Sequence, residues 1–127
     1  MILSTTKKAL LFSVFCTFVA FNGLAQGTIT KIDKAGIKEA IKQQNVQLID
    51  VRTAEEYEAD HIGNAMNFNI IDRKNFIDQI KDLDKSKPVY VYCKIGGRSN
   101  RAAKLLKEKG FLEIFDYSGG YNDWVSE

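Results

Sequence analysis

Cysteine is nearly absent from this chain of 127 residues, which holds only Cys16 and Cys93. The two form no CxxC pair, and the single histidine, His61, joins no cysteine cluster. A structural zinc site needs four such ligands, so no metal is expected. Lysine and arginine are not gathered into a basic stripe, which argues against a nucleic-acid surface. No apolar run reaches the roughly 20 residues of a membrane span. Repeats, low-complexity tracts and long linkers are also missing, and the length suits one domain.

The apolar stretch that does exist lies at the start. Lys7 and Lys8 precede Ala9 to Phe21, and Gly23-Leu24-Ala25 follows with small residues at alternate positions. A basic n-region, a short h-region and a small-x-small site in that order make a secretory signal. The expected division is a signal over 1–25 and a domain over 28–125, with the cut after Ala25. The expected destination is outside the cytoplasm, in the periplasm, without stable membrane insertion once the signal is gone; an uncleaved anchor is the alternative. Cleavage removes Lys7, Lys8 and Cys16, leaving 16 cations against 16 acids and one thiol. The whole-chain pI of about 8.5 then says little about partners. One thiol forms no internal disulfide, so Cys93 asks for a chemical explanation.

Its surroundings supply one. Pro88-Val89-Tyr90-Val91-Tyr92 reads as a buried strand, and Ser99 to Lys109 reads as a helix. Cys93 stands where the strand ends, and Lys94-Ile95-Gly96-Gly97-Arg98 makes the turn. A thiolate is the nucleophilic form of cysteine, and a helix N-terminus with nearby cations favours negative charge at that place. A loop curled around one point aims successive backbone N–H groups inward as an anion nest. Gly96 and Gly97 allow the backbone angles of such a ring. Arg98 is expected to close it with planar donors, and Ser99 to cap the helix within reach of the anion.

The rest of the chain alternates strand and helix signals. Strands are expected at 28–32, 46–51, 65–68, 88–92 and 114–115. Helices are expected from Asp33 to about Gln44, from Thr53 to Tyr57, over 74–83, from Ser99 to Gly110, and in a last turn ending near Trp124. Such alternation implies a mainly parallel five-stranded α/β sheet with helices on both faces. In these sheets chemistry sits beyond the carboxyl ends of the strands, where Cys93 lies.

Three segments carry a family resemblance. Asp50-Val51-Arg52 with Glu56-Tyr57, His61-Ile62 and Ala65-Met66-Asn67 resembles the first signature of the rhodanese-like sulfurtransferases. Cys93-Lys94-Ile95-Gly96-Gly97-Arg98-Ser99 resembles their active-site loop, and Gly119-Gly120 with Trp124 their closing motif. The resemblance implies that Cys93 carries sulfur as the nucleophile and that Lys94, Ile95, Gly96, Gly97, Arg98 and Ser99 bind the substrate anion. It implies a small sulfur-containing anion such as thiosulfate as donor, a thiol or cyanide as acceptor, and a cycle that needs no metal or organic cofactor. Asp60 and Asn64 stand where the family usually has glycine, and Lys94 where many relatives have arginine. Asn64 tolerates the left-handed geometry of such a turn.

The other polar residues have plainer expectations. Asp50 and Arg52 read as a structural ion pair supporting the site. His61 reads as a packed loop residue, Trp124 as a packing anchor, and Glu55, Glu56, Glu58 and Asp60 as a solvated face. Two other functions compete with sulfur transfer. One is a non-catalytic sulfur carrier or binding module. The other is a phosphatase or arsenate reductase of related fold, against which the loop length counts: four residues separate Cys93 from Arg98, where phosphatase-like loops use five.

Overall fold

The computed structural model describes residues 26–127. The expected signal over 1–25 lies outside the described residues. Five parallel strands form one sheet: β1 (Thr28–Ile32), β2 (Gln47–Asp50), β3 (Met66–Asn67), β4 (Val89–Tyr92) and β5 (Glu113–Tyr117), in spatial order β1-β5-β4-β2-β3. The helices are α1 (Lys34–Ala40), α2 (Ala54–Ala59), α3 (Arg73–Gln79), α4 (Gly97–Glu108) and α5 (Gly120–Val125). A 3₁₀ turn over Ile80–Asp82 extends α3.

Central β4 is apolar at every position because both of its faces are covered, as parallel sheets require. Val89 and Val91 join a cluster with Phe76, Ala102, Leu106 and Phe111, which seats α3 and α4 on one face. Tyr90 and Tyr92 join the opposite cluster with Ile37, Leu48, Ile62 and Tyr117. There Tyr57 of α2 and Tyr121 and Trp124 of α5 pack beside α1, so Trp124 is an anchor. Among the described residues no helix is long and apolar enough to cross a membrane.

Several boundaries moved for local reasons. α1 ends at Ala40 rather than near Gln44, and the turn that follows puts Asn45 at φ 58°. Asp33 caps it as expected, accepting from Gly36 N–H at 2.9 Å. Thr53 caps α2 within a full capping box, its partner being Glu56. In the loop before β3 the left-handed residue is Gly63, at φ 50°, and not Asn64. α4 begins at Gly97, so Ser99 lies inside its first turn and is not the cap.

Candidate active site

Cys93 follows β4 directly. Side chains alternate along a strand, so the thiol continues the Val89–Val91 side and is 1 % exposed against α4. Gly96 N–H donates to Sγ at 3.0 Å, folding the loop over the sulfur. Gly96 holds φ 101°, and a Cβ there would fall 2.5 Å from the Ser118 carbonyl oxygen, so both conformation and space demand glycine. No side chain caps α4. Among the described residues the N–H groups of Gly97, Arg98 and Ser99 have no acceptor, which leaves a positive helix end beside the thiol.

The loop is held from behind by α5. Tyr121 N–H donates to the Cys93 carbonyl at 2.8 Å, and Asn122 N–H to the Lys94 carbonyl at 3.1 Å. In a trans peptide the N–H points opposite to the C=O, so the N–H groups of Lys94 and Ile95 turn away from α5. This close approach needs Gly120, where a Cβ would meet the Lys94 oxygen at 2.5 Å and the Cys93 oxygen at 2.6 Å. Lys34 Nζ then donates to the last carbonyls of α5, those of Asp123 and Ser126. In front, Cys93, Lys94, Ile95, Gly97, Arg98 and Arg101 line a cavity of about 380 Å³.

The cations around this cavity differ in their engagement. Arg98 is not left facing open solvent. Its two terminal nitrogens donate to Glu56 Oε1 at 2.6 Å and Oε2 at 3.0 Å. Glu56 is therefore a bonded member of the site rather than part of a solvated face. The Arg98 bonds are the main cause that holds its carboxyl down to about 2. Lys94 and Arg101 form no ion pair among the described residues.

The β2 end forms the neighbouring support. Asp50 Oδ1 accepts from Arg52 N–H and Nε, while Oδ2 accepts from Arg52 Nη2 at 2.7 Å and from the Tyr92 hydroxyl at 2.7 Å. The Tyr92 hydroxyl in turn accepts from Ile62 N–H at 3.0 Å. Tyr92 immediately precedes Cys93, so this buried network fixes the stem of the loop. Arg52 also donates to the Asp60 carbonyl and stacks 4.4 Å from the Tyr121 ring centroid, joining β2 to α5. His61 stacks on Tyr57 at 3.9 Å, with Nδ1 3.0 Å from the Tyr57 carbonyl oxygen, which makes it a packed loop residue.

The order and placement of these motifs coincide with a known family. Residues 33–127 match the family model described as the rhodanese-like domain. The chain belongs to the rhodanese-like family. It is 35 % identical over 86 residues to the thiosulfate sulfurtransferase GlpE of Coxiella burnetii, covering 68 % of this chain and 78 % of that protein. A rhodanese-related protein of Thermoplasma volcanium superposes with a TM-score of 0.65 at 31 % identity, covering 76 % of this chain and 90 % of that one. A rhodanese-like domain protein of Staphylococcus aureus gives 0.67 at 26 %, covering 77 % and 93 %. Sulfurtransferase chemistry is the activity these comparisons support at the level of the family.

Two features of this rhodanese-like site were not legible in the sequence. One is the Arg98–Glu56 pair, since 42 positions separate the partners. The other is Asp116, on β5 under α4. Asp116 is fully buried, and neither carboxyl oxygen has a hydrogen-bond partner among the described residues. Burial pushes its carboxyl up. The Ser99 hydroxyl lies beside it but donates to the Gly96 carbonyl at 3.1 Å. A charged residue in a five-residue strand is the one signal that marked the position. Among the described residues no group of three or more His, Cys, Asp or Glu could hold a metal ion.

Proposed function

We propose that this rhodanese-like domain is an exported thiosulfate sulfurtransferase working by double displacement through Cys93. The carrying observation is a thiol at the floor of an open cavity, under the uncapped end of α4. The thiolate attacks the outer sulfur of thiosulfate. The S–S bond of the donor breaks, sulfite leaves with the electron pair, and Cys93 holds a persulfide. Cyanide or a thiolate then attacks the outer persulfide sulfur, and Cys93 thiolate returns. Every electron pair moves between sulfur and nucleophile, so the cycle needs no external oxidant. The inward N–H groups, with Lys94 and Arg98, stabilise the donor anion and the persulfide. Ile95 and Gly97 shape the cavity, and Ser99 fixes the loop through the Gly96 carbonyl.

The test is direct. Protein incubated with thiosulfate should gain the mass of one sulfur atom on Cys93, and steady-state kinetics with cyanide should be ping-pong. Cys93→Ser should gain nothing and make no thiocyanate. Cys93-dependent hydrolysis of aryl phosphate without sulfur loading would establish the phosphatase reading instead. Export rests on Lys7, Lys8, the Ala9–Phe21 stretch and Ala25. Protein recovered from envelope fractions should begin at or near Gln26; an intact Met1 on soluble cytoplasmic protein would contradict it.

A further inference from the structure

The Cys93 cavity has a neighbour. Ile70, Ile71, Arg73 and Arg101 line a second cavity of about 290 Å³. Arg101 lines both, so the two share a wall. The two arginines of the second cavity come from two elements, and the isoleucines from the loop before α3. Arg73 opens α3, and Arg101 stands four residues beyond Gly97 in α4. That spacing is about one helical turn, roughly 6 Å further along α4 than the loop. Neither arginine forms an ion pair among the described residues, in contrast to Arg52 and Arg98. Ile71 is 64 % exposed beside them, and Ile95 is 72 % exposed at the mouth of the Cys93 cavity.

The chemistry of the two cavities differs. The first offers a thiol, backbone N–H groups and Lys94, which suits a compact reacting group. The second offers two unpaired guanidinium groups with planar donors, which match a carboxylate. Exposed Ile71, with buried Ile70 behind it, suits a short methylene stem. Its volume suits a small group rather than a protein helix. Thiosulfate is too small to occupy both at once, so the second cavity has no part in sulfur loading as described above.

We propose that Arg73 and Arg101 form an acceptor subsite for the carboxylate of a small anionic thiol whose sulfur reaches the Cys93 persulfide. The proposal rests on the sulfur-transfer reading and narrows its acceptor to thiols with a carboxylate a few bonds from sulfur. Such a thiol approaches as the thiolate and attacks the outer persulfide sulfur. The S–S bond to Cys93 breaks, the acceptor leaves as its own persulfide, and Cys93 thiolate is restored. Arg73 and Arg101 take no part in bond making; they bind and orient.

The experiment separates loading from discharge. Full-length protein is loaded with thiosulfate, and the Cys93 persulfide is confirmed by mass. Single-turnover discharge is then followed with 3-mercaptopropionate and with its ethyl ester, which keeps the thiol and removes the carboxylate charge. Wild type should discharge to 3-mercaptopropionate more efficiently than to the ester, and the advantage should shrink with added salt. Arg73→Gln, which lines only the second cavity, should lower the rate constant for 3-mercaptopropionate roughly three- to fivefold, as befits an exposed pair, with the ester nearly unaffected, and Arg101→Gln should lower it at least as much. The double variant should lose about tenfold. Equal losses for both acceptors, or no preference in wild type, would overturn the subsite while leaving sulfur transfer standing. Absence of any sulfur adduct on Cys93, from thiosulfate or from polysulfide, overturns both.

Discussion

Two arginine–carboxylate pairs flank the Cys93 loop, and they differ in almost every physical respect. Arg52 and Asp50 are two residues apart and nearly sealed from water, at 4 % and 0 % side-chain exposure. Arg98 and Glu56 are distant in sequence and retain 20 % and 29 %. The buried pair is saturated, because Asp50 also binds Tyr92 and Arg52 also binds the Asp60 carbonyl. The outer pair spends two nitrogens of Arg98 on Glu56 and leaves the guanidinium within electrostatic range of Cys93. The same two side-chain chemistries therefore do different work. Deep in the fold they set the position of the strand end. At the rim they place a charge that still acts on the site.

Breaking the buried pair should give the largest effect. Asp50→Ala strands the Arg52 charge in the interior, and loss of one partner of such a pair costs about 3–5 kcal/mol. Urea denaturation should show that loss, and a change under 1 kcal/mol would mean that water reaches Arg52 freely. The Tyr92 hydroxyl is stranded at the same time, so sulfur loading should fall along with stability.

The rim pair should show the opposite balance. Arg98→Ala is expected to lower the thiosulfate specificity constant about tenfold through loss of the positive charge beside Cys93, with a smaller loss for an uncharged persulfide donor. Stability should change by about 1 kcal/mol or less. Parallel losses for both donors together with a large drop in stability would make Arg98 a brace like Arg52.

Asp116 sharpens the contrast, because it is a buried carboxyl with no arginine at all. Its carboxyl is raised, so the folded form holds the proton more tightly than the unfolded chain. That contribution is fully present below the ordinary value of 3.8 and is lost as pH rises through the folded value. Asp116→Asn removes the penalty and should stabilise the domain at neutral pH by about 1 kcal/mol, with little difference in acid. Thermal melts of the two proteins at acid and neutral pH check this; a destabilised variant at neutral pH would show that the carboxylate is paired in solution.

The smallest effect belongs to Glu56→Gln. The depressed carboxyl contributes stability above its ordinary value of 4.5 and loses it as pH falls toward about 2. The pair is partly exposed, so the gap between wild type and variant should be below about 1 kcal/mol at neutral pH and vanish near the acid limit. A gap that persists unchanged at low pH would assign the effect to the capping box with Thr53 instead.

Much of this is legible in the sequence. The strand order in sequence, the two covered faces and the thiol at a strand end follow from hydrophobic runs, caps and glycines, which act over a few residues. Asp50 and Arg52 were readable as a pair because a two-residue spacing at a strand end keeps them close. The cap of α4 was misplaced from Ser99 because serine is a common cap, whereas the left-handed Gly96 turn carries the role here. Glu56 looked like one acid among several on a polar helix face, since nothing local marks which carboxylate meets an arginine 42 positions away.

The sequence by itself determined the parallel α/β architecture, the placement of Cys93 between β4 and α4, and the need for glycine around it. These depend on local periodicity and on backbone freedom, both of which are written residue by residue. Only the tertiary structure decided that α5 pins the loop carbonyls, that Glu56 takes Arg98, that Asp116 is left without a partner, and that Arg73 and Arg101 share a cavity. Each of these joins elements far apart in the chain, and such a meeting is set by how helices pack on a twisted sheet rather than by any neighbouring residue.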